Sequence, residues 1–320
     1  MKTLDQLDAK LEKRIPISSL PFTISASGSY YFTGNLQFSA ATGDAIAINQ
    51  SNVTLDLMGF TLSSTAGVTG NAIVMTGAVS NIAVKNGVIA GNTTVTISGA
   101  PPNQTWNPTK AGFNVGIVGL NVSSCQFSQL RISGCRNSAL NVGNAAAIDH
   151  VTASSNGLTG ISAVNGSITN SIANSNAFIG ISASGGSVTN STASSNGSTG
   201  VSADNGSVTN STATLNGGTG ISASGGSVTN SMANGNGSNG ISANPGSITS
   251  STASSNGGTG IFAASGSVTN STANANGSDG ISAANGVVAF CKALNNNTKN
   301  NGSLDINATG ATRTGNNPTP

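Results

Sequence analysis

The one histidine, His150, directly follows Asp149, with Arg131 and Arg136 shortly before it. A carboxylate next to an imidazole, with cations nearby, is a group that could move a proton. His150 also falls in the same repeat column as Asn170, so a corner role in the fold is the plainer reading. Other chemistry is hard to assemble. Glycoside hydrolysis needs two carboxylates facing each other across a sugar. Asp44, Asp56, Asp149, Asp204 and Asp279 are scattered, no two are adjacent, and the only glutamate is Glu12. A Ca²⁺ site needs several oxygen ligands, normally with more than one carboxylate. There is no nucleophile motif, phosphate loop or metal-ligand spacing. The residues therefore predict no catalytic group, no metal and no cofactor.

Two features suggest binding instead. Trp106 is the only tryptophan and lies in "GAPPNQTWNPTKAG", which starts at Gly99. An exposed ring there could stack on a sugar, with Asn103, Gln104 and Lys110 supplying polar contacts. The alternative is a ring folded against the flank of the molecule. The second feature is a Ser-x-Thr pattern, Ser167 with Thr169, recurring at 187, 207, 227, 247 and 267. Both hydroxyls point outward if Ile168 points inward. Such a ladder could meet ice, or simply finish a strand face in neutral residues.

These side chains are positioned by a tandem array with a period of twenty residues, from Val151 to Ala289. One unit reads "NSTASSNGSTGVSADNGSVT" from Asn190. A fixed period of this size marks a solenoid. Apolar residues are spaced by two, Ile161 with Ala163 and Val151 with Ala153, which defines one face of a strand. Glycine, serine, threonine and asparagine dominate, and they are poor helix formers. Each unit is read as three short strands separated by turns. Asn170, Asn190, Asn210, Asn230 and Asn270 take a sharp left-handed corner, and this column is expected to form an amide ladder. The position after the corner, Ser171, Ser191 and Ser211, points inward. The asparagines from Asn156 to Asn296 and two glycine columns are assigned to the remaining bends. No coil can stand alone, so contacts between neighbouring coils must carry the fold.

Composition narrows the function classes. Only 6% of residues are charged, 4% are aromatic and the net charge is +2. Neither a nucleic-acid nor a membrane-surface partner follows from that balance. No apolar run is long enough to span a membrane. The start, "MKTLDQLDAKLEKR", lacks the apolar core of a signal peptide. Cys125, Cys135 and Cys291 are odd in number and sparse, so they read as small buried thiols. The N-x-S/T sequons follow from the repeat and carry no functional weight.

Along the chain, residues 1–17 read as a helical cap arm, with Leu4, Leu7 and Leu11 on one face and Pro16 ending the helix. This arm would cover the open first coil, or join two copies as a homo-oligomer. The solenoid follows over 18–310, aromatic-rich and irregular at first, then regular over 151–290. Residues 311–320 read as a flexible tail.

"RIPISSLPFTISASGSYYFTGNL", "NVTLDLMGFTL" and repeats of the "GSVTNSTASSNG" type resemble bacterial right-handed parallel β-helix repeat proteins of the pectin-lyase-like superfamily. The resemblance covers roughly residues 14 to 300. It implies an all-β, right-handed parallel β-helix with three parallel sheets, here of about fourteen coils, on a secreted or surface-displayed protein. Characterised relatives in the superfamily include pectate lyases, polygalacturonases, alginate epimerases and phage tailspikes. The lyases use clustered acidic residues for Ca²⁺ with an arginine or lysine base, and this chain lacks that cluster. Three functions are therefore carried forward. The first is a non-catalytic structural or interaction rod. The second is a carbohydrate-binding or degenerate polysaccharide-active protein, with a polysaccharide or cell-surface glycan as partner. The third is an ice binder.

Overall fold

A computed structural model of the chain describes residues 14–100, 103–299, 302 and 304–316. The described chain is all-β and winds as a right-handed parallel β-helix. One sheet holds thirteen parallel strands, one for each coil, against the roughly fourteen coils expected. In the regular array each coil carries three strands, as in Ile161–Ala163, Ser167–Thr169 and Ile172–Asn174. Each pairs in register with its counterpart twenty residues on, for example Ile161 with Ile181 and Thr169 with Thr189. The second and third ladders belong to a single 23-stranded sheet rather than to two separate ones. In three earlier coils one strand runs through both ladders: Ile82–Ala90, Gln126–Ser133 and Ala147–Ser154. These strands bend without breaking at Asn86, Gln129 and His150, whose φ values are 58°, 54° and 52°.

The core is the stack of inward columns. Ile161, Ile181, Val188, Val208 and their counterparts are fully buried, with alanines between them. The first coils are wider and hold larger groups. Phe32, Phe113 and Phe127 are buried there, and the Phe38 and Phe113 rings stack with centroids 6.3 Å apart.

Two polar ladders run inside the array. Ser171, Ser191, Ser211, Ser231, Ser251 and Ser271 point inward, as expected. The Ser211 hydroxyl donates to the Thr209 carbonyl (2.9 Å) and accepts the Ser191 amide (3.2 Å). The second ladder is asparagine, but its column differs from the expected one. Asn170, Asn190, Asn210, Asn230 and Asn270 do take the left-handed corner, at φ 48–50°, yet their side chains are exposed. The buried amide ladder is the column from Asn156 to Asn276, continued by the partly buried Asn296. The reason is a second left-handed corner one residue earlier, at Ser155, Ser175 and Ser195 (φ 54–55°), which turns the following side chain inward. A buried amide must find partners. Asn216 uses all four of its sites, donating to Ala193 O and Asn236 Oδ1 and accepting from the amide and Nδ2 of Asn196.

The glycines after the first turn are fixed by coil stacking. A Cβ on Gly206 would lie 1.9 Å from the Gly186 carbonyl oxygen, and Gly226, Gly266 and Gly286 meet the same obstacle.

Both ends depart from expectation. The strands begin at Ile15–Ile17, so Pro16 lies within a strand that pairs with Tyr30–Phe32 and does not end a helix. The helical cap expected over residues 1–13, with its possible role in oligomerisation, lies outside the described residues. At the other end, Thr312–Thr314 pairs with Val287–Ala289, so residues 311–316 extend the last coil. Asn316 is buried there, accepting the Cys291 amide and donating to Val288 O.

Candidate functional site

The candidate sugar-stacking residue, Trp106, is half-buried. Val95–Ser98 and Thr105–Pro108 form an antiparallel hairpin with Ile97 opposite Trp106. Val95, Ile97, Trp106 and Pro108 alternate as its half-buried face. Trp106 Nε1 donates to the Ser195 carbonyl at 2.7 Å, and the indole lies over Gly197 and Gly217. The ring is folded against the solenoid flank. Asn103 sits at the exposed hairpin tip and Lys110 at its exposed base (φ 53°), so the three residues do not converge.

Three of the described charged residues, Asp56, Lys85 and Asp149, share one register column on the second ladder, and the others lie elsewhere. Tyr31 pairs with Asp56, Asp56 with Lys85, Lys85 with Ser128, Ser128 with Asp149, and Asp149 with Thr169. From Thr169 the column continues as threonine to Thr269. Two residues earlier on each strand a parallel column holds serine from Ser167 to Ser267. One strip is therefore charged at its N-terminal end and hydroxylated along the rest.

At the charged end Arg14 bridges to Asp56 (3.2 Å) and lies 4.9 Å from the Tyr31 ring centroid. Asp149 Oδ2 is 2.7 Å from His150 Nδ1, and Asp149 Oδ1 accepts from Thr169 Oγ1 and Asn170 Nδ2, both at 2.8 Å. These bonds, first that to His150 and then those from Asn170 and Thr169, lower the Asp149 carboxyl to about 2. His150 is the corner residue that the sequence suggests, at φ 52°. The side chains of Lys85 and Arg131 make no ion pair or hydrogen bond among the described residues. Arg131 projects from the neighbouring column, opposite Val88 and Thr152.

The carboxylates are occupied in holding coils together. Asp44 accepts from the Asn71 amide and Nδ2, and Asp56 from Asn86 Nδ2. Asp204 accepts from Ser222 Oγ and the Ser224 amide, and Asp279 from the Leu304 amide and Asn307 Nδ2. Asp305 ends the asparagine ladder by accepting from Asn296. Asp56 and Asp149 share a column but stand three strand steps apart, about 14 Å at the usual strand spacing. Paired-carboxylate hydrolysis needs roughly 5–10 Å. No group of three His, Cys, Asp or Glu able to hold a metal occurs among the described residues.

Thr169 donates to Asp149 and the Thr249 and Thr269 hydroxyls bond each other, but the hydroxyls between them have no such partner. The side chains of Ser187, Ser207, Ser227, Thr189, Thr209 and Thr229 make no hydrogen bond among the described residues. Beside the serine column runs a shallow depression of about 470 Å³, floored by Gly166, Gly186 and Gly206 and rimmed by Asn165. The sequence shows the Ser-x-Thr spacing but not its continuity with the charged end. Lys85 and Asp56 lie in coils of irregular length, and only the strand register aligns them with Asp149.

The sequence matches no protein-family model and no curated protein. Its fold resembles several solved structures. An A-module of a mannuronan C-5 epimerase from Azotobacter vinelandii matches with a TM-score of 0.58 and 14% identity, over 91% of each chain. Tailspike protein 3 of bacteriophage CBA120 matches with a TM-score of 0.59 and 9% identity, over 97% of this chain and 56% of the tailspike. The catalytic domain of a GH87 α-1,3-glucanase, solved with tetrasaccharides, matches with a TM-score of 0.52 and 12% identity, over 96% of this chain and 63% of that one. At these identities the likeness establishes the class, a right-handed parallel β-helix.

Proposed function

We propose that this solenoid binds an extended polysaccharide along the Ser-x-Thr strip without cleaving or modifying it. The observation that carries this reading is the register of unbonded hydroxyls on successive coils. Each can donate and accept, and the step between them, about 4.8 Å, is close to the length of one sugar unit in an extended chain. Lys85 and Arg131 add two unpaired cations at one end. The absence of turnover follows from the carboxylates, each tied to its own coil links and none paired at catalytic distance. The neighbours whose names include an epimerase, tailspikes and a glucanase support a carbohydrate partner by analogy of fold. A secreted or surface-displayed setting goes with the same reading.

The test is a binding panel of neutral and acidic polysaccharides, with product analysis. The proposal expects retention of at least one polysaccharide. Binding should weaken in Thr209→Val and Thr229→Val, which keep the side-chain shape and remove the hydroxyl. No binding across the panel, or valine variants that bind as wild type, would overturn the site. Released oligosaccharides or altered sugars would overturn the non-catalytic role. The same unbonded ladder also favours a second reading, ice as the ligand. Thermal hysteresis in dilute protein, lost in the same valine variants, would move the function there.

A further inference from the structure

We infer that the Val95–Pro108 hairpin is a strap that makes the coils from Thr93 to Gly217 open as one unit, with Trp106 as its latch. In a solenoid each repeat touches only its neighbours, so opening can start at any weak coil and spread. This hairpin breaks that rule. It leaves the helix at the coil of Thr93 and Ala111, where the Thr93 hydroxyl donates to Ala111 O at 2.8 Å. Its tryptophan is anchored at Ser195. The backbone links between those points run from Thr93 to Gly134, from Cys135 to Gly157, from Asn156 to Ala177 and from Asn176 to Gly197. That is four strand steps, about 19 Å along the axis.

The seat is specific. The indole N–H reaches a carbonyl that no backbone amide uses among the described residues. The ring covers two glycines, and a Cβ on Gly217 would come within 2.8 Å of the ring. The half-buried alternation of Val95, Ile97, Trp106 and Pro108 lays one hairpin face on the flank, while Thr96, Ser98, Thr105 and Asn107 face water. The strap thus joins the wide, irregular coils to the first regular repeats, across the place where coil size changes. Coils beyond Gly217 have no such link among the described residues.

Hydrogen–deuterium exchange of the full chain tests this. Local openings exchange amides at rates set by the stability of the opening unit. In Trp106→Ala, amides in residues 153–217 should exchange about tenfold faster or more, while those in 241–289 stay as in wild type. Trp106→Phe keeps a ring over Gly197 and Gly217 but loses the bond to Ser195, and should give a smaller effect over the same residues. An effect confined to 95–108 in either variant would overturn the strap. Should Trp106→Ala fail to fold, the phenylalanine variant and the wild type still decide. Trp106 is the only tryptophan, so its emission reports the latch alone. It should change at the same denaturant concentration as the circular dichroism of the strands. An emission change at clearly lower denaturant would show a hairpin that peels away freely, and would also overturn the proposal.

Discussion

Replacing one rung of the buried asparagine ladder by alanine should cost far more than replacing an asparagine at the exposed corner. Asn216 is 1% exposed. Its Oδ1 accepts from the Asn196 amide (3.0 Å) and Asn196 Nδ2 (2.9 Å). Its Nδ2 donates to Ala193 O (3.1 Å) and Asn236 Oδ1 (2.9 Å). Asn216→Ala leaves two buried donors of Asn196 without an acceptor. At about 1–3 kcal/mol for each unsatisfied buried group, the loss is about 2–6 kcal/mol. That compares with a total stability of about 5–15 kcal/mol for a typical domain. Asn230 has the same side chain, exposed at φ 48°. There alanine loses only tolerance of the left-handed region, about 1–2 kcal/mol. Urea unfolding followed by circular dichroism measures both variants against wild type. The reasoning fails if Asn216→Ala costs no more than Asn230→Ala, because the amide ladder would then contribute nothing that an outward asparagine does not.

Three further outcomes are expected. Gly206→Ala should destabilise by several kcal/mol or prevent folding, because its Cβ would sit 1.9 Å from Gly186 O, while Gly67→Ala, with nothing within 4 Å, should shift the midpoint within about 0.5 kcal/mol. The Asp149 carboxyl is lowered in the folded chain from 3.8 to about 2. Its contribution is therefore present above about pH 4 and lost as pH falls towards 2. Asp149→Asn should flatten that part of the stability–pH curve, with a small amplitude that salt reduces further, since the pair with His150 is exposed. The thiols of Cys125, Cys135 and Cys291 are buried, and burial pushes Cys135 up to about 12. Native protein should resist a thiol-reactive dye at pH 8, and all three thiols should label once it is unfolded.

Much of the fold was legible because a solenoid repeats its physics every coil. Spacing by two placed Ile161, Ala163 and Ile168 inward. The period set which residues stack, and the left-handed corner at Asn170 followed from the tolerance of asparagine for positive φ. The site was less legible. Ser167 and Thr169 could be read as outward from their neighbours, but Lys85 and Arg131 could not be aligned with them, since the coils between are irregular in length. The amide ladder was expected at the Asn170 column and lies at the Asn156 column, for a related reason. Asn170 and Asn156 have the same composition and both follow a strand, so propensity cannot separate them.

The sequence by itself determined the period, the inward aliphatic columns, the Ser-x-Thr spacing and the scarcity of acidic groups. All of these are local patterns that every coil repeats. The tertiary structure alone decided which asparagines are buried, how Asp56, Lys85 and Asp149 share one column, and where Trp106 lies. Burial of Asn156 depends on one backbone turn at Ser155, and the seat of Trp106 on a carbonyl 89 residues away in the chain. Contacts of that kind arise from how coils stack, and no window of the sequence contains both partners.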